Sequence, residues 1–254
     1  MASRLEGTVA LVTGASSGIG EATALALAEE GAAVALAARR KDRLDALAER
    51  IIAQGGLALV LETDVKKQDE AAAAVEKAAA WRGRLDIVIN NAGVMLLGPV
   101  VNAPLEEWNR MIELNVLGLL YVAHAALPHL LKAAESDLRK VADLVNVSSV
   151  AGRMPRRGSG VYNLTKFGVG AFSESLRQEV AKQHVRVGLI EPGAVDTELR
   201  EHLRPEILEQ QRARWEGVEQ LRAEDIADAI TYMVTRPRHA AVNEVLIRPT
   251  EQDM

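Results

Sequence analysis

Short apolar runs alternate with longer amphipathic ones along the whole chain. Runs of strand type cover Thr8 to Thr13, Ala33 to Ala38, Leu57 to Glu62, Leu85 to Asn90, Ala142 to Val147 and Val185 to Glu191, with a last short one at Glu244 to Ile247. Between them lie helical patterns at Glu21 to Glu30, Asp42 to Ile52, Gln68 to Trp81, Leu105 to Leu131, Gly160 to Val180 and Glu224 to Val234. Seven strands alternating with helices predict an α/β fold with a doubly wound, seven-stranded parallel sheet and helices on both faces. No linker divides residues 1–254, so a single domain is expected. Two stretches break the alternation. Asn115, with Gly118 close by, interrupts the apolar helix, which marks either a buried structural hydrogen bond or a functional kink. Residues 198–222 are charged and largely helical in pattern, a candidate lid over the ligand side.

Composition narrows the function by exclusion. The chain is 48% hydrophobic and 26% charged with a formal charge of -5, which argues against a nucleic-acid partner. Three Trp, three Tyr and two Phe leave no base-stacking platform. Without cysteine there is no thiolate nucleophile, disulfide or thiolate metal site, and the five histidines show no metal spacing. No positively charged start precedes an apolar core at the N-terminus, and no segment reads as long and charge-free enough to span a bilayer. A cytoplasmic protein with no membrane partner is expected.

The chemistry gathers at the carboxyl ends of the strands, where an open α/β sheet binds its ligand. The first strand runs into Gly14-Ala-Ser16-Ser17-Gly18-Ile19-Gly20 and then a helix. Gly14 permits the sharp turn, Gly18 lets a phosphate approach the backbone, and Gly20 lets helix and strand pack closely, so a pyrophosphate can sit on the helix N-terminus. The second strand ends in Ala38-Arg39-Arg40 rather than in the acidic residue that accepts from an NAD ribose. Arginines there suit a 2'-phosphate, which favours NADP(H) over a merely solvated pair. Asp64, followed by Val65, is placed to hydrogen-bond an adenine edge, while Asn91, followed by Ala92-Gly93, either ties strands together or faces the ligand. Tyr162 and Lys166 lie four residues apart on one helix face, where a fixed cation would pull the phenol below its usual value of about 10. Ser149, at the end of the fifth strand, brings a hydroxyl to the same edge. Arg153, Arg156 and Arg157 either attract a carboxylate substrate or are solvated or at a subunit contact, and Met95, Leu96 and Leu97 offer an apolar wall.

Taken in order, Thr13-Gly-x-x-x-Gly-x-Gly20, Asn90-Asn-Ala-Gly93, Asn115, Ser149, Tyr162-x-x-x-Lys166 and Pro192-Gly193 with Thr197 strongly resemble the short-chain dehydrogenase/reductase superfamily, in its compact single-domain Rossmann-fold branch. The nearer likeness is to NADP-dependent clavulaldehyde-type reductases and to serine or allo-threonine dehydrogenases. The tail Asn243 to Thr250 departs from the Gly-Gly ending of ketoacyl reductases. The resemblance implies that Tyr162 is the acid-base, that Lys166 lowers its pKa and holds the nicotinamide ribose, and that Ser149 polarises a substrate carbonyl. It implies that Asn115 holds a water joining Lys166 to solvent, and that Val195 and Thr197, beyond Pro192-Gly193, orient the carboxamide. It also implies a homo-oligomer, dimer or tetramer, and a small polar aldehyde, ketone or hydroxy acid as substrate. A non-catalytic NADP(H)-binding redox sensor, and a dehydratase or epimerase using the same Tyr and Lys, are the alternatives.

Overall fold

The computed structural model describes residues 3–253. Its strands are β1 (Val9–Thr13), β2 (Ala33–Ala38), β3 (Leu57–Glu62), β4 (Ile87–Asn90), β5 (Ala142–Val147), β6 (Val185–Pro192) and β7 (Glu244–Ile247). Its helices are α1 (Gly18–Glu29), α2 (Lys41–Ala53), α3 (Gln68–Arg82), α4 (Leu105–Ile112), α5 (Leu119–Glu135), α6 (Gly160–Val180), α7 (Pro205–Arg214) and α8 (Ala223–Val234). All seven strands pair in parallel, in the order β3-β2-β1-β4-β5-β6-β7. The chain winds from β1 to one edge and then returns to the other side of β1, so a crevice opens at the carboxyl ends of β1 and β4.

Why these runs are strands follows from burial on both faces. Every residue of β1, β2, β4, β5 and β6 is buried, which explains continuous apolar runs in place of alternation. Within β1 the pleat sends Ala10 and Val12 into one core with Leu27, Ile51 and Ile230, and Val9 and Leu11 into the other with Ala78, Leu130 and Leu176. Helices α1, α2 and α8 therefore cover one face, and α3, α5 and α6 the other.

The interrupted helix is where sequence and structure differ most. Residues Glu113–Gly118 widen into a π-helical turn between α4 and α5, and α5 continues to Glu135 beyond the expected end, carrying Pro128 within it. Leu105–Glu135 as a whole is long and apolar enough to cross a membrane by length and composition, contrary to the sequence reading. The reason is packing: Leu119, Val122, Ala123, Ala126, Leu130, Ala133 and Ala134 are buried in the protein, so their apolar character serves the core. The candidate lid is less helical than its pattern suggests. It forms one 3-10 turn, Glu198–His202, and the ten-residue α7, which starts on Pro205.

At the amino ends of the strands, away from the crevice, Asp143 and Arg186 face each other across the β5–β6 register. Arg186 donates to both carboxylate oxygens at 2.7 and 3.0 Å, and to the carbonyls of Val234, Arg236 and Ala240 at 3.0, 3.0 and 2.8 Å. One guanidinium thus ties the sheet to the end of α8. Arg186→Met should lower the unfolding free energy by about 3 kcal/mol, since it strands a buried carboxylate and several carbonyls. Urea melts with an unchanged m-value check this; a loss below about 1 kcal/mol would show that Arg139, which also pairs with Asp143 at 3.0 Å, suffices alone.

Candidate active site

A cleft of about 730 Å³ runs along the carboxyl edge of the sheet, and every expected catalytic and cofactor-binding residue except Gly20 and the buried Asn115 reaches its wall. Its floor is the turn after β1. Gly14 has φ +67, and a Cβ there would lie 2.8 Å from Asn91 Nδ2 and 2.9 Å from Ala92 Cα; at Gly20 a Cβ would strike the Gly14 carbonyl. These two glycines let α1 begin directly against the loop that follows β4. Asn91 closes the contact, its main-chain N donating to Thr13 Oγ1 and its amide to the Thr13 carbonyl, both at 3.0 Å. The strand-tying role is therefore real, and it coexists with a place on the cleft wall. Ser17, at the N-cap of α1, makes no capping bond, so the first N–H groups of α1 are left for an anion.

The two arginines after β2 have separate positions. Arg39 is exposed, on the rim. Arg40 is built into the glycine turn, donating from Nε and Nη2 to Ser16 Oγ at 3.1 and 3.0 Å and from Nη2 to Ser17 Oγ at 2.7 Å. Its Nη1 donates to Glu198 at 2.9 Å, and Arg43 donates to the other oxygen of that carboxylate at 2.6 Å. Hydrogen bonds first from Arg40 and then from Arg43 hold Glu198 down to about 2. Neither Arg43 nor Glu198 was expected at the site; both are surface charges in sequence, and only the fold brings them 155 positions together.

Ser149 follows β5 in extended conformation and caps the 3-10 turn Val150–Gly152, accepting from Ala151 N at 3.1 Å. Its hydroxyl donates at 3.4 Å to the Pro192 carbonyl and stands beside the Tyr162 phenol. Tyr162 and Lys166 occupy the first turns of α6, each only 7% exposed. Lys166 Nζ donates to the Val147 carbonyl at 2.9 Å and stands 5.8 Å from the centre of the tyrosine ring. Among the described residues no carboxylate pairs with it. Burial pushes the Tyr162 phenol up to about 12, with the Ser149 hydrogen bond opposing, and burial pushes Lys166 down to about 8. The expected lowering of the phenol by the ammonium is thus reversed in the protein alone, because loss of hydration outweighs a cation directed at a carbonyl.

Asn115 shows the structural alternative. Its Oδ1 accepts from Val94 N and its Nδ2 donates to the Val94 carbonyl, both at 2.8 Å, with Thr165 Oγ1 at 3.3 Å. The π-helical turn presents this amide to the loop after β4 and to the helix of Tyr162 at once. Thr197 caps the turn Glu198–His202, and its methyl group would lie 3.1 Å from a Cβ at Gly18, so the lid begins on the glycine turn. Gln252 had no signal in the sequence beyond a polar tail. It is 8% exposed, reaches the cleft and accepts from Ala194 N at 2.9 Å, bracing the turn after β6.

Of the three arginines between Ser149 and Tyr162, Arg153 is taken by Glu191 at 2.7 Å and by Glu244. Arg157 is exposed on the cleft rim. Arg156 is half-buried, with Nη2 lacking any hydrogen-bond partner. Burial, then the neighbouring Arg214 and Arg248, lower its pKa. Among the described residues no cluster is placed to hold a metal ion.

A doubly wound parallel sheet with a glycine turn on a helix N-terminus, and with a serine, a tyrosine and a lysine buried along the same crevice, is a Rossmann-like α/β fold with a candidate dinucleotide crevice. The chain belongs to the short-chain dehydrogenases, whose family model matches residues 8–208. It is 39% identical over 241 residues to an uncharacterized oxidoreductase of Staphylococcus aureus (strain MRSA252), covering 95% of this chain and 96% of the relative. Among solved structures it resembles the closed form of serine dehydrogenase complexed with NADP+, with a TM-score of 0.86, 30% identity and 97% of each chain covered. It also resembles the 3-ketoacyl-(acyl-carrier-protein) reductase of Brucella melitensis complexed with NADH, with a TM-score of 0.85, 29% identity and coverage of 97% and 98%.

The depressed Lys166 value makes a stability prediction. Between its folded value of about 8 and the unfolded 10.5, the unfolded chain binds more protons at this site, so stability from Lys166 rises with pH across that window. Relative to Lys166→Met, the cofactor-free wild type should gain about 2 kcal/mol from pH 7.5 to 9.5 in denaturant melts. A parallel pH dependence in the two proteins would place the ammonium in water.

Proposed function

We propose that the protein is an NADP(H)-dependent oxidoreductase that interconverts a small polar carbonyl compound and its alcohol, with Tyr162 as the acid-base. The observation that carries this reading is the convergence of the Ser149 hydroxyl, the Tyr162 phenol and the Lys166 ammonium in one cleft. The residues fit a dinucleotide. Gly14 and Gly20 keep the turn open, the start of α1 would receive the pyrophosphate with Ser16, Ser17, Gly18 and Ile19 around it, and Asp64 and Val65 would border the adenine. Asn91, Ala92 and Gly93 would line the central cleft, and Pro192, Gly193, Val195 and Thr197 the carboxamide side. Lys166 spends one donor on Val147, which leaves two for ribose hydroxyls. The missing carboxylate after β2 and the clustering of Arg40 with Ser16 and Ser17 support the phosphorylated form of the cofactor.

A bound nicotinamide supplies the hydride, or accepts it in reverse. The chain's own residues handle the oxygen. Ser149 donates a hydrogen bond that polarises the C=O group, and Tyr162, kept protonated at neutral pH by its burial, hands its proton to that oxygen as carbon accepts the hydride. Lys166 then faces a phenolate, and its charge stabilises it. Both amide hydrogens of Asn115 are engaged and its oxygen already accepts from Val94 N, so a relay water at that residue would donate to the remaining lone pair of Oδ1 or meet main chain. A sensor that only bound NADP(H) would have no use for this buried trio.

Within the substrate class, Arg156 favours compounds carrying an acid group. Its guanidinium nitrogen Nη2 has no hydrogen-bond partner among the described residues, Asp253 acts on it only through space and last among the charges around it, and its main-chain N donates at 3.3 Å to Asn163, the neighbour of Tyr162. Exposed Leu164 and Phe167 on α6, together with Leu105 on α4, support pairing with a second copy of the chain. A soluble, cytoplasmic homo-oligomer is the matching form.

Tyr162→Phe should cut turnover by about a thousandfold or more while leaving the NADPH dissociation constant within about twofold. The readout is NADPH oxidation over a panel of small aldehydes, ketones and keto acids, with NADH in parallel. Undiminished turnover in the variant would sink the mechanism, and binding of NADPH by the wild type without turnover on any substrate would favour the sensor. Arg156→Gln should raise KM for a keto acid by about tenfold with kcat nearly unchanged, and leave the methyl ester of the same compound unaffected. An equal change for acid and ester would remove the acid-group reading.

A further inference from the structure

We propose that Glu198 sets cofactor selectivity: its carboxylate holds the guanidinium that a 2'-phosphate requires, so NADP(H) must displace it whereas NAD(H) leaves it in place. The inference deepens the NADP(H) reading given above and rests on it.

The argument begins with the donors of one residue. Arg40 has five N–H groups in a rigid fork. Four are in use, one from Nε and one from Nη2 on Ser16, a second from Nη2 on Ser17, and one from Nη1 on Glu198. A phosphate gripped by two parallel bonds needs two donors from one edge of the fork. With a single N–H remaining, that grip forms only after a present partner has left.

Charge decides which partner leaves. Ser16 and Ser17 are neutral and can turn their own hydroxyls to a phosphate oxygen. Glu198 is an anion, and a second anion on the same guanidinium repels it. Glu198 also has somewhere to go: its other oxygen is already 2.6 Å from Arg43 Nη1, so it can give up Arg40 while keeping one cation. Without a 2'-phosphate nothing drives the exchange, and Arg40 stays occupied.

The size of the effect is bounded by exposure. The Arg40 and Glu198 side chains are 41% and 37% exposed, so water screens the pair and its rupture costs little. Glu198 is therefore a tax on the phosphorylated cofactor and not a barrier to it. Its position supports the same view. It is the first residue of the turn capped by Thr197, which rests on Gly18, so it is fixed in register with the glycine turn.

The test is direct binding of NADP+ and NAD+ to wild type and to Glu198→Gln, which keeps the shape and removes the charge. The dissociation constant for NADP+ should fall by about three- to fivefold and that for NAD+ should change by less than about twofold. Equal weakening for both would make Glu198 a clasp over the whole dinucleotide and overturn the proposal, as would unchanged constants. The wild-type preference is a separate readout. A wild type that favours NAD+ contradicts the cofactor reading, while the change in the NADP+ to NAD+ ratio still decides the role of Glu198.

Discussion

The structure depends on one close approach, between the turn after β1 and the loop after β4. These are neighbouring strands that are 76 residues apart at Thr13 and Ile89, and the sheet reverses its winding between them. Only two glycines make the approach possible, and Asn91 seals it with bonds to Thr13 on both main chain and side chain. Close the gap with a single methyl group and α1 could not start where it does. The crevice, the orientation of α1 and the landing place of the lid on Gly18 all descend from that contact.

At the other end of the cleft the governing effect is dehydration. The sequence pairs a phenol with an ammonium and invites an argument from charge alone. In the folded chain both groups are buried, and burial moves them in opposite directions, each toward its neutral form. The phenol is thereby kept protonated and the lysine stays a charge whose hydrogens need oxygens such as the Val147 carbonyl. The site suits something polar, because among the described residues only the Val147 carbonyl receives a hydrogen from this lysine.

Much of this was legible from residues alone, for physical reasons that differ from place to place. Strands buried on both faces leave continuous apolar runs, so Ala33–Ala38 and Ala142–Val147 are read to the residue. The glycine turn and the Tyr162-Lys166 spacing encode local geometry, which sequence carries well. The π-helical turn at Glu113–Gly118 was visible only as an oddly placed asparagine, because the partners that explain it, Val94 and Thr165, lie 21 and 50 positions away. The membrane-length apolar stretch is hidden for the converse reason: polar residues interrupt it along the chain, while the fold aligns its alanines and leucines on one buried side. Glu198 and Arg43 carry ordinary surface charges, and nothing local distinguishes them. The reversed direction of the tyrosine shift required knowing burial, which spacing does not give.

Gln252 illustrates how little of a site's architecture needs to be near the chemistry in the chain. It lies past the last strand, in a short tail that adds no strand or helix, yet its side-chain oxygen receives Ala194 N and fills the space beside Gly193. The turn after β6 is thus propped from behind by the tail. Loss of that one side-chain contact would leave every described helix and strand standing and still loosen the turn after β6 where it borders the cleft. Order along this edge of the cleft is therefore set by a side chain that belongs to no helix or strand.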